Sequence, residues 1–341
     1  MKKSVIMAHG NGGVLTSEII NDVILKTING NTIENMTDAT IVDDKYGFTT
    51  DSFVIYPHFF NGGDIGKLSV CGTVNDLVMG GCIPKYLSLS IILEEGYEIE
   101  KLQLIVESIK MTCDFSNVKV VTGDTKVVDK GHGSGIYINT SGIGEKIENL
   151  NLGRDKLKEG DAIIITGDIG DHGVSILCER ENLLEGQLSS DCMPLVKLIP
   201  LIKKYAKYIK IMRDPTRGGV ATTLNEFVEN SEKSITILEE KLPINEKVAG
   251  ACEIFGLDPL YSANEGKGII VIDGSVASEF IEEVKNINEF KNAAIIGEIN
   301  KEESGKVLYR SRFGGRRILG KLTHDMLPRI CWTKVGYYYT L

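Results

Sequence analysis

Hydrophobic and polar positions follow two periods along the chain. Residues 17–28 place Ile19, Ile20, Val23 and Ile24 at helical spacing, and Asn29-Gly30-Asn31 stops the run. The pattern then predicts a strand over 52–56, a helix over 64–79, a strand over 86–93, a helix over 99–113 and strands over 118–121 and 136–140. A polar stretch over 144–160 suits an inter-domain connection. Beyond it lie a buried-type strand over 161–166, helices over 174–180, 193–205 and 219–228, and strands over 235–237, 268–272 and 294–299. From Gly320 no period is sustained, and Pro328 forbids a regular helix there, which predicts a flexible C-terminal tail. The fold expected is α+β in two halves, with mixed sheets covered by helices on one face. The boundaries expected are a Gly-rich arm and helix over 1–35, a first domain over 36–150, a second over 151–319 and the tail over 320–341.

Length and composition agree with two domains, since 341 residues is about twice the usual ~150 per domain. The net charge of −9 gives no general attraction to phosphate backbones or anionic lipid, so neither nucleic acid nor membrane is expected as a partner. Seven cysteines with no Cys-x-x-Cys pair exclude a disulfide scaffold and a structural zinc site. The apolar stretch after Met1-Lys2-Lys3 is too short for a signal segment, and no uncharged run approaches the ~18 residues of a spanning helix. A soluble, reduced, cytoplasmic protein is expected.

Several glycines stand beside aspartate, among them Gly63-Asp64, Gly123-Asp124 and Gly167-Asp168. Each pair alone reads as a turn, while several near strand ends fit a metal-phosphate site, because glycine admits close backbone approach and carboxylates hold hard cations. Asp51, Asp64, Asp76 and Asp124 all fall near element boundaries in the first half. Four carboxylates sharing a pocket would repel unless cations bridged them. Gly62-Gly63-Asp64-Ile65-Gly66-Lys67 ends in Leu68 and is not a Walker loop, and no dinucleotide fingerprint appears. The run Arg213-Asp214-Pro215-Thr216-Arg217-Gly218-Gly219 carries two forked cations at a helix start, which fits an anion site, a capped turn, or both. Lys126 and Glu265 read either as a proton-sharing pair or as an ordinary inter-domain ion pair. The five histidines lack metal-ligand spacing, and six cysteines read as small buried hydrophobes. Cys331 sits in the tail close to Arg329, as an incidental thiol or as a travelling carrier of an attached group.

Taken in order, Ala8-His9-Gly10-Asn11-Gly12-Gly13, Thr50-Asp51-Ser52-Phe53, the run 59–68, Gly72-Thr73-Val74-Asn75-Asp76-Leu77, Thr122 to Val128, Gly170-Asp171-His172-Gly173, Arg213 to Gly219, Ala263 to Lys267 and Leu327 to Cys331 resemble the HypE family of hydrogenase maturation proteins. The match spans about residues 5–331. It implies the aminoimidazole-ribonucleotide-synthetase (PurM-like) superfamily fold and a homodimer joined through N-terminal domains that bind ATP, with ATP and Mg²⁺ required. In that family the transferase HypF carbamoylates the terminal cysteine, the S-carboxamide is dehydrated to an S-thiocyanate, and the cyanide passes to iron on a HypC–HypD complex.

Carried over position by position, the resemblance implies Cys331 as the acceptor and Lys126 and Glu265 as proton handlers. Asp51, Asp64, Asp76 and Asp124 become the Mg²⁺ and triphosphate ligands, with His9, Gly10, Lys67, Arg213 and Arg217 beside the nucleotide. Two departures stand out: Asn61 replaces the proline usual before Gly-Gly-Asp, and ten residues follow Cys331 where the family ends at the cysteine. Two other readings remain open from the sequence: a different ATP-using enzyme of the superfamily, or a nucleotide-binding maturation partner without catalysis.

Overall fold

The computed structural model describes residues 4–10, 12–28, 37–184 and 186–322. Cys331 and the rest of 323–341 lie outside the described residues. After a 3-10 turn, Met7–Gly10, comes a helical run of α1 (Val14–Ile19), a π-helical stretch Ile20–Leu25 and α2 (Lys26–Ile28), none of whose residues is buried.

The first sheet has the order β1 (Thr40–Val42), β2 (Tyr46–Phe53), β7 (Ile136–Lys146), β5 (Cys82–Glu94), β6 (Lys119–Val128). Only the β5–β6 pair is parallel. A short ribbon, β3 (Phe59–Phe60) with β4 (Gly63–Asp64), precedes α3 (Ile65–Met79). α3 and α4 (Ile99–Ser116) pack together on one face of the sheet. α3 is apolar all round and almost wholly buried, as expected of a helix enclosed on every side.

The second sheet runs β14 (Arg316–Ile318), β13 (Val307–Arg310), β10 (Ser234–Leu238), β12 (Ala294–Asn300), β8 (Ala162–Ile165), β11 (Ile269–Ile272), β9 (Ile209–Arg213). Its helices are α5 (Asp171–Arg180), α6 (Ile199–Lys204), α7 (Gly219–Val228), α8 (Glu246–Phe255) and α9 (Ala277–Lys285). Ile163, Ile165, Ile269 and Val271 pack with Val220, Leu224 and Phe227 of α7. Ile164, Ile270 and Ile272 pack on the other side with Ile202, Phe280 and Val284 of α6 and α9. Helices therefore cover both faces of this sheet, which corrects the one-face expectation for the second half. Unbroken Ile/Val runs are what a strand buried on both faces requires. The α6–α9 core is continuous with the α3 core of the first half, through Val70, Val74, Met79, Leu195 and Leu198.

Four further expectations are corrected. The strand placed at 52–56 is β2, ending at Phe53; its inward residues, Gly47, Thr49, Asp51 and Phe53, are mostly small or polar and show no apolar alternation. The strand placed at 118–121 continues to Val128, so Gly123-Asp124 is mid-strand rather than a turn. A Cβ on Gly123 would lie 2.3 Å from the Leu89 carbonyl oxygen, so this glycine permits close strand approach. The helix placed at 193–205 begins only with a 3-10 turn at Val196–Leu198, because the Leu195 N–H donates to the Asn75 side chain at 2.8 Å. Residues 320–322, assigned to the tail, are packed: Leu322 is buried and Tyr261 Oη donates to the Gly320 carbonyl at 2.9 Å. Among the described residues no helix is long and apolar enough to cross a membrane.

Candidate active site

The cleft between the halves is organised along α3. Asp64 caps its N-terminus, accepting from Gly66 N at 2.6 Å and Lys67 N at 3.0 Å. Lys67 Nζ donates back to the Gly62 carbonyl at 2.7 Å. Midway, Asp51 of β2 lies against Gly72, where an added Cβ would stand 3.5 Å from Asp51 Oδ2. Asn75 ties the halves together by donating to the Met193 and Glu265 carbonyls at 3.1 and 3.0 Å. Near the far end Asp76 accepts from Thr49 Oγ1 at 2.7 Å.

There three carboxylates converge. Oxygens of Asp38, Asp76 and Asp214 lie within 4.8 Å of one another. The Asp214 N–H donates to Asp38 at 3.2 Å, and Arg213 Nε pairs with Asp38 at 2.8 Å while its Nη1 pairs with Glu226 at 2.8 Å. Burial raises the Asp38 carboxyl to about 6, with Arg213 opposing. Burial first, then the neighbouring carboxylates, pushes Asp76 and Asp214 well above the usual range. Asp51 is raised by burial and eased by the charge of Arg217. Such a cluster either holds protons or holds cations. All its donors are hard oxygens lying within 4.8 Å of one another, close to the ~3–4 Å that separates oxygens sharing one octahedral Mg²⁺ at ~2.1 Å, so the residues present fit that ion.

A second buried group adjoins it. Glu265 N donates to Asp191 Oδ1 at 3.0 Å, Lys267 Nζ lies 3.4 Å from Asp191 Oδ2, and His172 Nδ1 is 2.8 Å from Ser190 Oγ. Burial raises the Glu265 carboxyl well above its ordinary value, followed by Cys192, Asp214, Asp51 and Asp191. The Cys192 thiol is raised by its hydrogen bond to Cys71 and then by burial. All six described cysteines are free and buried.

The residues singled out from sequence are thus distributed unevenly. Asp51, Asp76, Arg213, Arg217 and Glu265 line one region, although Arg213 is engaged by Asp38 and Glu226. Asp64 and Lys67 stand at the other end of α3, twelve and nine residues from Asp76, or about 18 and 14 Å along the axis. His9 bonds within its own turn, through Nδ1 to the Ile6 backbone, and Gly10 closes that turn. Asp124 and Lys126 are elsewhere. They pair with each other at 2.7 Å on the exposed edge strand β6, in register with Ser90 and Ile92. Leu87 and Ile91 face α3 and α4, so Ser90, Ile92, Asp124 and Lys126 face the opposite side. Within one chain Lys126 does not meet Glu265, and the four expected carboxylates do not form one cluster. Sequence reasoning passed over Asp38 and Asp214; the signal for Asp214 was its place between Arg213 and Pro215 at a helix entry.

The chain matches the family described as AIR synthase related protein, N-terminal domain, over residues 36–145, and its C-terminal domain over residues 158–310. It is 41% identical over 332 residues to carbamoyl dehydratase HypE of Azotobacter vinelandii, covering 96% of this chain and 97% of that protein. The protein in a crystal structure of a HypE–HypF complex superposes with TM-score 0.83 and 42% identity, covering 88% of this chain and 100% of that one. A hydrogenase maturation protein HypE crystallised in complex with ATP gives TM-score 0.80 and 37% identity, over 96% and 100%.

Proposed function

The chain belongs to the carbamoyl dehydratase HypE family of hydrogenase maturation proteins, and on that premise we propose that it dehydrates a carbamoyl group carried on the sulfur of its own Cys331. It is an ATP-dependent carbamoyl dehydratase acting in hydrogenase maturation. The observation that carries the residue-level reading is the carboxylate trio of buried Asp214 with half-buried Asp38 and Asp76, and Asp51 and Glu265 beside it at the domain junction.

The chemistry asks for this arrangement. The oxygen of a thiocarbamate amide leaves poorly as hydroxide but readily as phosphate. Phosphoryl transfer from ATP to that oxygen, with loss of two N–H protons, turns R–S–CO–NH₂ into R–S–C≡N plus ADP and phosphate. Mg²⁺ held by Asp38, Asp76 and Asp214, with Asp51 alongside, would compensate charge on the transferring phosphoryl group. Arg217 supports the same anionic end, and Arg213 holds Asp38 in place. Glu265 accepts a nitrogen proton once neighbouring negative charge is compensated, since Asp214 and Asp51 help to hold its carboxyl protonated.

Lys126 and Asp124 enter this scheme from a second copy. They occupy an exposed edge strand on the face turned away from α3, and a homodimer joined through these sheets supplies the opposing cleft. We assign HypF as the partner that transfers the carbamoyl group to Cys331, a HypC–HypD complex as the cyanide acceptor and the cytoplasm as the compartment.

The test is mass spectrometry of the Cys331 peptide during incubation with ATP, Mg²⁺, carbamoyl phosphate and HypF. The peptide should gain a carbamoyl group and then lose one water. Asp76→Asn should keep the first step and slow the second at least ~100-fold. A peptide that stays unmodified while a control HypE reacts would overturn the assignment of Cys331.

A further inference from the structure

Glu265 stands outside the strands, in the connection between the 3-10 turn Pro259–Tyr261 and β11. Both of its backbone groups are taken by side chains of other segments. Its N–H donates to Asp191 Oδ1 at 3.0 Å, and its carbonyl accepts from Asn75 Nδ2 of α3 at 3.0 Å. Asp191 belongs to the loop ahead of the 3-10 turn Val196–Leu198, and that loop is seated directly on Gly266. A Cβ on Gly266 would stand 1.9 Å from the Asp191 carbonyl oxygen and 2.8 Å from Met193 Cγ, so the two backbones touch. The other oxygen of the Asp191 carboxylate faces Lys267 Nζ at 3.4 Å. One side chain thus grips positions 265 and 267 together, on either side of that contact.

Packing alone does not ask for a carboxylate at this position. The Asp191 side chain is 1% exposed and that of Lys267 8%, and a buried ion pair gains little over an apolar pair of the same shape. Asp191 Oδ2 has no hydrogen-bond partner among the described residues. The charge also disturbs its surroundings, since burial first and then Asp191 lift the Asp171 carboxyl to about 7. What the carboxylate supplies, and an apolar residue could not, is a fixed acceptor for the Glu265 N–H, held in place by the charge of Lys267.

We propose that Asp191 is a positioning residue for the dehydration, which by holding the Glu265 N–H keeps the Glu265 carboxyl directed into the cleft. This rests on the reading of Glu265 as the group that accepts a nitrogen proton. With the N–H fastened at Asp191 and the carbonyl at Asn75, the direction of the Glu265 side chain is set from both sides. A proton acceptor misplaced by ~1 Å can lose about 100-fold in rate. Asp191 shares no hydrogen bond with Asp38, Asp76 or Asp214 among the described residues, so its role is separable from holding ATP and Mg²⁺.

Two double variants that both lose the ion pair isolate this role. Asp191→Leu/Lys267→Met and Asp191→Asn/Lys267→Met have nearly the same shape at 191, and only the asparagine amide oxygen can still accept from Glu265. Each is carbamoylated by HypF with carbamoyl phosphate and given ATP and Mg²⁺, and the loss of one water is followed on the intact protein by mass spectrometry. At saturating ATP the leucine variant should dehydrate at least ~30-fold more slowly than the parent, with the half-saturating ATP concentration within about twofold. The asparagine variant should recover to within about threefold of the parent. Deuterium exchange in the peptide spanning 262–268 should rise in the leucine variant and not in the asparagine one. Equal rates in the two variants, fast or slow, overturn the proposal. So does a slow leucine variant whose peptide exchanges as in the parent, or one whose defect lies in the ATP half-saturation. Asp191→Ala/Lys267→Met repeats the comparison with a smaller side chain should the leucine variant not fold. Glu265→Gln dehydrating at the parent's rate would instead overturn the reading of Glu265, whatever the Asp191 variants do.

Discussion

At the scale of single residues, the cleft is a set of groups held in the wrong charge state by burial. His172 is fully buried, bonded only through Nδ1, and burial lowers it to about 4 from the usual 6.5. The folded state therefore binds its proton less tightly than the unfolded chain does. Its contribution is intact above pH ~6.5 and is lost as pH falls towards 4, by about 3 kcal/mol over the full interval. Asp171, raised to about 7 by burial and then by Asp191, works in the opposite direction across pH 4–7, its stabilisation fading as pH rises. Overall stability curves would blend the two, so the difference between parent and His172→Gln is the quantity to follow. Urea unfolding at steps between pH 7 and 4.5 should show the parent's advantage shrinking with acidity. An advantage that stays constant, or grows, would mean that His172 is protonated in the folded protein.

At the scale of elements, α3 fixes the spacing of the site, and its seat depends on one backbone contact. A Cβ added to Gly66 would come 2.4 Å from the Ile105 carbonyl oxygen, in backbone that cannot rotate aside. Gly66→Ala should therefore push α3 and α4 apart and destabilise the protein by about 1–3 kcal/mol, although alanine is the better helix former. Chemical denaturation would read this, and a stabilised variant would refute the contact. The same helix marks what the sequence could and could not say. Its extent was legible from apolar residues running from Ile65 to Met79 after a capping aspartate. The strand β2 was not, because its inward face carries glycine, threonine and aspartate where an alternation of large apolar residues would be sought. Gly123-Asp124 read as turn punctuation, whereas register with β5 keeps it inside a strand. Asp76 and Asp51 were found through their motifs. Asp38 escaped notice because its partners, Arg213 and Asp214, lie about 175 residues away, and only the closed cleft brings them together.

At the scale of the whole molecule, the proposed proton handlers occupy opposite faces of one sheet, and this has a consequence that simple inactivation cannot mimic. Lys126 stands on the outer face of edge strand β6, with Asp124; Glu265 is enclosed beside Asp191 at the domain junction. The route from β2 to β6 crosses three strand spacings, about 14 Å, in addition to the sheet itself. If each working site takes Glu265 from one copy and Lys126 from the other, Lys126→Ala and Glu265→Gln will each be inactive alone. Mixing them, with subunit exchange, produces half heterodimers. In each heterodimer one site carries both defects and the other carries none. Activity should recover to about a quarter of the parent's, as two independent sites per dimer require. A site completed within one chain predicts no recovery at any mixing ratio. Phe48, exposed on the same outer face, supplies the control: Phe48→Asp in both chains should weaken the dimer in sedimentation and abolish the recovery together. No recovery in a mixture whose dimers do exchange would place Lys126 and Glu265 in one chain's cleft after all.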